Sequence, residues 1–198
     1  MEIRYPNGQV YTPDSETEKK KNRKKPVALD RFAKRGMGLE DDINRSNEYY
    51  NSAGRCLVYK RPTPIRVVRM QNEKIVEAYF SEKSTTDYNG IYRGKYLDFE
   101  AKETMSRTSF AFKNIRPQQI THLKRVIELG GIAFFIIRFK SLNETYLLDC
   151  RDFLPYLEST ERKSMPYEEC RKKGVLIEEG LSPRLRYLDA VDRKYFGK

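Results

Sequence analysis

The stretch from Gly131 to Phe139 constrains the fold more than any other part of the chain. Ile132-Ala133-Phe134-Phe135-Ile136-Ile137 is an unbroken apolar run, the pattern of a central strand covered on both faces. A chain that contains it needs packed layers on either side of a sheet. Just before it, Pro117 to Leu129 places Ile120, Leu123, Val126 and Ile127 at helical spacing, with proline in the first turn and Gly130-Gly131 closing the segment. Further upstream, Tyr96 to Lys102 alternates with period two: Leu97, Phe99 and Ala101 on one side, Asp98, Glu100 and Lys102 on the other. That strand is expected to turn one face to the core and the other to chemistry, with the apolar strand as its neighbour.

The remaining segments fill in a mixed α/β chain. Leu39 to Tyr50 reads as a helix, with Leu39, Ile43 and Tyr50 on one stripe and Glu40, Asp41 and Asp42 complementing the dipole of its first turn. Cys56–Tyr59, Ile65–Met70 and Ile75–Phe80 read as strands in antiparallel succession, separated by Pro62-Thr63-Pro64 and Gln71-Asn72. Asn89-Gly90 is a hairpin or turn signal. A strand at Thr145–Asp149, a short helix at Asp152–Glu158 and a C-terminal helix ending near Phe196 complete the chain. At 198 residues it fits one compact domain, residues 31–198. Residues 1–30, with Pro6-Asn7-Gly8 and a basic run from Lys19 to Lys25 broken only by Asn22, read as a flexible tail.

Charge and rare residues narrow the chemistry. Lys and Arg number 39 against 28 Asp and Glu, for a net charge of +11, so polyanions are natural partners. The tail reads both as solvated charge and as non-specific attraction to phosphate. Cys56, Cys150 and Cys170 form no CxxC pair and no disulfide framework, which fits a reduced cytoplasmic setting. His122 is the sole histidine, which excludes His-Cys zinc sites, Ser-His-Asp triads and histidine-based nucleases. No apolar run approaches the ~20 residues of a membrane span, and the N-terminus lacks an apolar signal segment. Any hydrolysis must then run on carboxylates and lysine.

Such a set is present. Asp87 precedes Glu100 and Lys102, and spacing of two on a strand puts the last two in one cleft. Two carboxylates can hold a divalent ion that polarises a phosphate and activates water, and a lysine beside them can stabilise transition-state charge. Asp98 shares the face, as a further carboxylate or as a solvated charge. The bare pattern occurs by chance in charged proteins, where Glu100 and Lys102 would be an exposed ion pair of little consequence.

Longer strings carry more weight. Ser84-Thr85-Thr86-Asp87-Tyr88-Asn89-Gly90-Ile91-Tyr92 and Asp98-Phe99-Glu100-Ala101-Lys102-Glu103-Thr104 resemble the RecU-type Holliday-junction resolvases of bacteria. So do Tyr5-Pro6-Asn7-Gly8, Arg35-Gly36-Met37, Leu39-Glu40-Asp41-Asp42, Lys60 with Pro62-Thr63-Pro64, Glu77-Ala78-Tyr79-Phe80 and Pro183-Arg184-Leu185. The resemblance implies a restriction-endonuclease-like mixed sheet flanked by helices, with a protruding β stalk at about 57–80. It also implies a homodimer, Mg2+ dependence with Mn2+ as a substitute, and paired incisions in four-way DNA junctions during recombination and repair.

Carried over position by position, the resemblance assigns metal binding to Thr85, Asp87, Glu100 and Gln119, and transition-state stabilisation to Lys102. Thr85 is equally a turn hydrogen-bonder, and Gln119 equally a helix cap. Glu40 is a candidate beside the metal, with helix-dipole complementation as its alternative. Lys60, Arg61, Arg66 and Arg69 fall on the stalk as candidate phosphate contacts or ordinary solvated charges, and Arg35 is a further candidate DNA contact. The chain departs from the family pattern at Arg116-Pro117-Gln118, where a histidine is expected, and in a shorter Met70–Ile75 stretch.

Three functions compete at this point. One is a junction-selective endonuclease acting in the cytoplasm at the nucleoid, meeting the strand-exchange recombinase and a branch-migration helicase. Another is a restriction-type duplex endonuclease using the same site. The third is a non-catalytic DNA-binding modulator of the recombinase.

Overall fold

The computed structural model describes residues 38–80, 85–159 and 162–197; the basic run of the tail and Arg35 lie outside these. In chain order the described elements begin with α1 (Leu39–Ser52), β1 (Leu57–Lys60), β2 (Ile65–Gln71), β3 (Lys74–Phe80), β4 (Tyr88–Tyr92), β5 (Lys95–Thr104) and β6 (Ser109–Ala111). They continue with α2 (Pro117–Glu128), β7 (Ile132–Phe139), β8 (Glu144–Asp149), α3 (Cys150–Glu158), β9 (Ser164–Pro166), α4 (Tyr167–Lys173), β10 (Val175–Leu176) and α5 (Tyr187–Tyr195). No helix among the described residues is long and apolar enough to cross a membrane.

Six strands form the central sheet, in the order β1-β4-β5-β7-β8-β10. β5 and β7 run parallel while their neighbours pair antiparallel. A parallel pair needs a crossover, and α2 supplies it. The expected mixed α/β architecture with flanking helices is therefore present.

Both faces of the sheet are covered. On one, Phe99 is stacked between Tyr88 and Phe134, with ring centroids 5.0 and 4.7 Å apart, and α1 and α5 close over Leu97, Ala101 and Ile136. On the other, Leu123 and Val126 of α2 and Phe153 of α3 pack against Ala133, Phe135 and Ile137. Every residue of β7 is buried, as the apolar run requires. Its one charged member, Arg138, is compensated by Asp42 of α1 at 2.7 Å and Glu179 at 3.4 Å.

Three expectations are corrected. Asn89-Gly90 is not a turn but the middle of β4. The turn lies at Arg93-Gly94, where φ is 51° and 74°, and Gly90 is glycine for another reason: a Cβ there would stand 2.0 Å from the Leu57 carbonyl oxygen. Second, β1, β2 and β3 are not one antiparallel succession. β1 pairs with β4 in the main sheet, and β2 pairs only with β3, in a hairpin turned by Asn72-Glu73 and exposed along all of β2. Third, the polar face of β5 is not open, because α2 lies over it and both Asp98 and Glu100 are completely buried.

Candidate active site

Antiparallel pairing of β4 with β5 sets Tyr88 opposite Phe99, which brings the segment entering β4 alongside Glu100. Asp87 and Glu100 then lock each other's strands. The Asp87 backbone N–H donates to Glu100 Oε2 at 3.1 Å, and the Ala101 N–H donates to Asp87 Oδ2 at 3.0 Å. Lys102, two residues along β5, reaches back to Glu100 Oε1. The same oxygen accepts from Gln119 Nε2 at 2.6 Å.

Gln119 caps its helix and also reaches the Glu100 cluster, through different atoms. Its amide oxygen accepts from the Arg116 N–H at 2.9 Å, closing the first turn of α2, while its amide nitrogen reaches the site. The Arg116-Pro117-Gln118 departure therefore leaves Gln119 in register with Glu100.

The Glu100 carboxyl is strongly perturbed. Burial first, and then the negative charge of Asp87, raise it from 4.5 to about 7, against the opposing pull of Lys102. The Glu100–Lys102 pair is thus no exposed surface pair: the glutamate side chain is wholly buried and that of Lys102 is 21% exposed.

Asp98 takes a different place from the one expected. It is neither a solvated charge nor a member of the Asp87–Glu100 group. Its carboxylate is enclosed by Arg61 Nη2 at 2.8 Å, the Tyr96 hydroxyl at 2.9 Å, His122 Nε2 at 2.8 Å and the Thr86 hydroxyl. Thr85 accepts a hydrogen bond from Arg61 at its side-chain oxygen. Sequence reasoning overlooked His122, Tyr96 and Thr86 as partners; the available signal was that His122 follows Gln119 by one helical turn.

The cationic candidates divide. Arg61 turns inward to Asp98 and Thr85, unlike the solvent-facing stalk cation foreseen. Lys60 pairs with Glu40 at the start of α1, and its ammonium is held above its ordinary value by that hydrogen bond. Glu40 is half exposed, and Lys60, with which it pairs, also lies in the field of Asp87. Arg66 and Arg69 lie exposed on the β2–β3 hairpin, among exposed Ile65, Val67, Val68, Met70, Ile75 and Tyr79.

Among the described residues no group of three or more His, Cys, Asp or Glu gathers as a metal site. Two crowded carboxylates nonetheless suit a hard divalent ion, which can be held by one or two carboxylates with positions left for water and phosphate. A cation there would offset both the burial of the Glu100 charge and its repulsion by Asp87.

The family model described as Recombination protein U matches residues 34–193. A protein from Geobacillus kaustophilus named Holliday junction resolvase RecU is 46% identical over 204 residues, covering 99% of each chain. One of the same name from Shouchella clausii is also 46% identical, covering 99% of this chain and 96% of its own. Among solved structures, Hjc from Archaeoglobus fulgidus, titled a Holliday junction resolvase, aligns with 70% of this chain and 95% of its own at 12% identity and a TM-score of 0.43. By the extent of the family match and the full-length relatives, this chain belongs to the Recombination protein U (RecU) family.

Proposed function

We propose that the chain is a structure-selective endonuclease that resolves four-way DNA junctions by divalent-metal-dependent phosphodiester hydrolysis, with Mg2+ as the ion and Mn2+ able to replace it. The observation that carries this reading is the packing of Asp87 against buried Glu100, with Lys102 and Gln119 on the same carboxylate. The relatives matched along their full length carry the resolvase name. Asp87 and Glu100 would hold the ion, with the Thr85 hydroxyl and, once its amide oxygen turns from the Arg116 N–H, Gln119 as neutral ligands. When bound, the ion supplies Lewis-acid polarisation of the phosphate and a water of lowered pKa.

The chain's own residues do the rest. Lys102, tethered to Glu100, presents its ammonium beside the carboxylates and would balance the negative charge that builds on the phosphate oxygens in the transition state. Main-chain bonds between Asp87 and β5 hold the two carboxylates together before substrate arrives, so little reorganisation is needed at reaction. Arg66 and Arg69 on the exposed hairpin would contact phosphates without reading bases. Two copies of the chain, one per opposed strand, would supply the two sites that paired incisions require.

The test is Glu100→Gln. The variant should bind a four-way junction within about twofold of the parent in EDTA and cut it at least about a hundredfold more slowly with Mg2+, the scale of lost charge stabilisation at a preorganised site. Undiminished cutting would remove Glu100 from the site and the reading with it.

A further inference from the structure

Asp98 is a carboxylate that the proposed reaction leaves unused, yet it is completely buried. A buried anion persists only where partners replace the lost water, and the identity of its partners is informative. Each belongs to, or is hydrogen-bonded to, a segment that carries a group of the metal site. Arg61, just beyond β1, gives Nη2 to Asp98 and Nη1 to Thr85, and its backbone N–H donates to the Asp87 carbonyl at 2.7 Å. Thr86, between Thr85 and Asp87 in sequence, donates its hydroxyl to Asp98. His122 lies one turn after Gln119 on α2. Asp98 itself is two residues before Glu100. Tyr96, from the start of β5, fills the remaining approach.

We propose that Asp98 is a positioning residue. Through Arg61, Thr86 and His122 it ties the β1 end, the Thr85–Asp87 segment and α2 to β5, and so sets how tightly Thr85, Asp87, Glu100 and Gln119 hold a divalent ion. This rests on the metal-dependent reading given above. Asp98 touches neither the ion nor the phosphate. Arg61 is likewise a positioning residue and not a backbone contact to DNA: its planar fork spans Asp98 and Thr85 together, a geometry that a lysine cannot reproduce.

The test uses Asp98→Asn and Arg61→Lys in the full chain. Asparagine keeps the shape but turns an N–H2 toward groups that are themselves donors. Mn2+ affinity is read from the loss of the free-ion electron paramagnetic resonance signal, with no cleavage involved, and junction affinity is read in EDTA by gel shift. Both variants should bind Mn2+ about tenfold or more weakly, the range for groups that orient metal ligands, with junction affinity within about twofold of the parent. Folding is checked by thermal unfolding, and should Asp98→Asn fail to fold, Arg61→Lys decides alone. Mn2+ affinity equal to the parent's would overturn the proposal, as would weakened junction binding by Arg61→Lys with unchanged Mn2+ affinity. A parent that neither binds Mn2+ nor cuts would overturn the nuclease reading itself, whereas a parent that does both beside unaltered variants overturns only the role of Asp98 and Arg61.

Discussion

Replacing Gly90 with alanine would set a methyl group 2.0 Å from the Leu57 carbonyl oxygen and 2.6 Å from the Val58 Cα. Both are backbone atoms of the paired strand, so no side-chain rotation relieves the clash and β1 must move off β4. Their ladder runs from Leu57↔Ile91 to Lys60↔Tyr88, with Gly90 inside it. Losing two or three of its hydrogen bonds costs about 1 kcal/mol each, and the overpacking adds about 1–3 kcal/mol, for a total of about 3–6 kcal/mol. In a chain of this size 1 kcal/mol moves the midpoint by about 2–4 °C, so Gly90→Ala should lower Tm by at least about 6 °C. Circular dichroism melts in EDTA, with urea titration as a second probe, measure it. Junction cleavage should fall as well, because β1 leads directly into Arg61 and its bond to Asp87. A Tm within about 2 °C of the parent, less than 1 kcal/mol on that scale, would refute the close approach of β1 to β4.

Asp87→Asn should separate stability from activity. A carboxyl raised in the folded state, as Glu100 is from 4.5 to about 7, favours the native protein most below about pH 4.5, and that contribution is lost as pH rises to about 7. Removing the Asp87 charge lessens the loss, so the Tm of the variant in EDTA should gain on that of the parent between pH 5 and pH 8 while cleavage disappears; a constant Tm difference across that range contradicts the electrostatic account. Arg66→Ala with Arg69→Ala should weaken junction binding and flatten the slope of log affinity against log salt by about 0.9 for each phosphate no longer neutralised, measured by fluorescence anisotropy. An unchanged slope would take both residues off the DNA.

The parts of the fold that follow from short-range patterns were legible in the sequence. The apolar run at 132–137 became the buried β7 and the alternation at 96–102 became β5, because a strand's period of two is imposed by its own backbone. Leu39 to Tyr50 became α1 for the analogous reason at helical period. What could not be read was pairing between distant segments. Asn89-Gly90 carries a strong local turn signal, but the backbone of Leu57, far earlier in the chain, decides the use of that glycine. Likewise the alternation in β5 marks Asp98, Glu100 and Lys102 as sharing a face without revealing that the crossover lays α2 over it. That covering turns Asp98 from a candidate solvated charge into a buried hub, draws Arg61 inward and brings in His122. Glu100 and Lys102 were legible as neighbours because a spacing of two on one strand needs no tertiary knowledge, whereas Asp87 joins them only through the pairing of β4 with β5. The short strands β6, β9 and β10 and the helix α4 carried too few residues for any period to show.

The most direct measurement of the central claim is Mg2+-dependent cleavage of an end-labelled mobile four-way junction, mapped on all four strands, for the parent and Lys102→Ala, with linear duplex as control. The account predicts paired, symmetric incisions near the crossover by the parent, little cutting of the duplex, and junction binding without incision by Lys102→Ala. Tight junction binding with no cutting by the parent in either Mg2+ or Mn2+ would contradict it and leave a DNA-binding role alone.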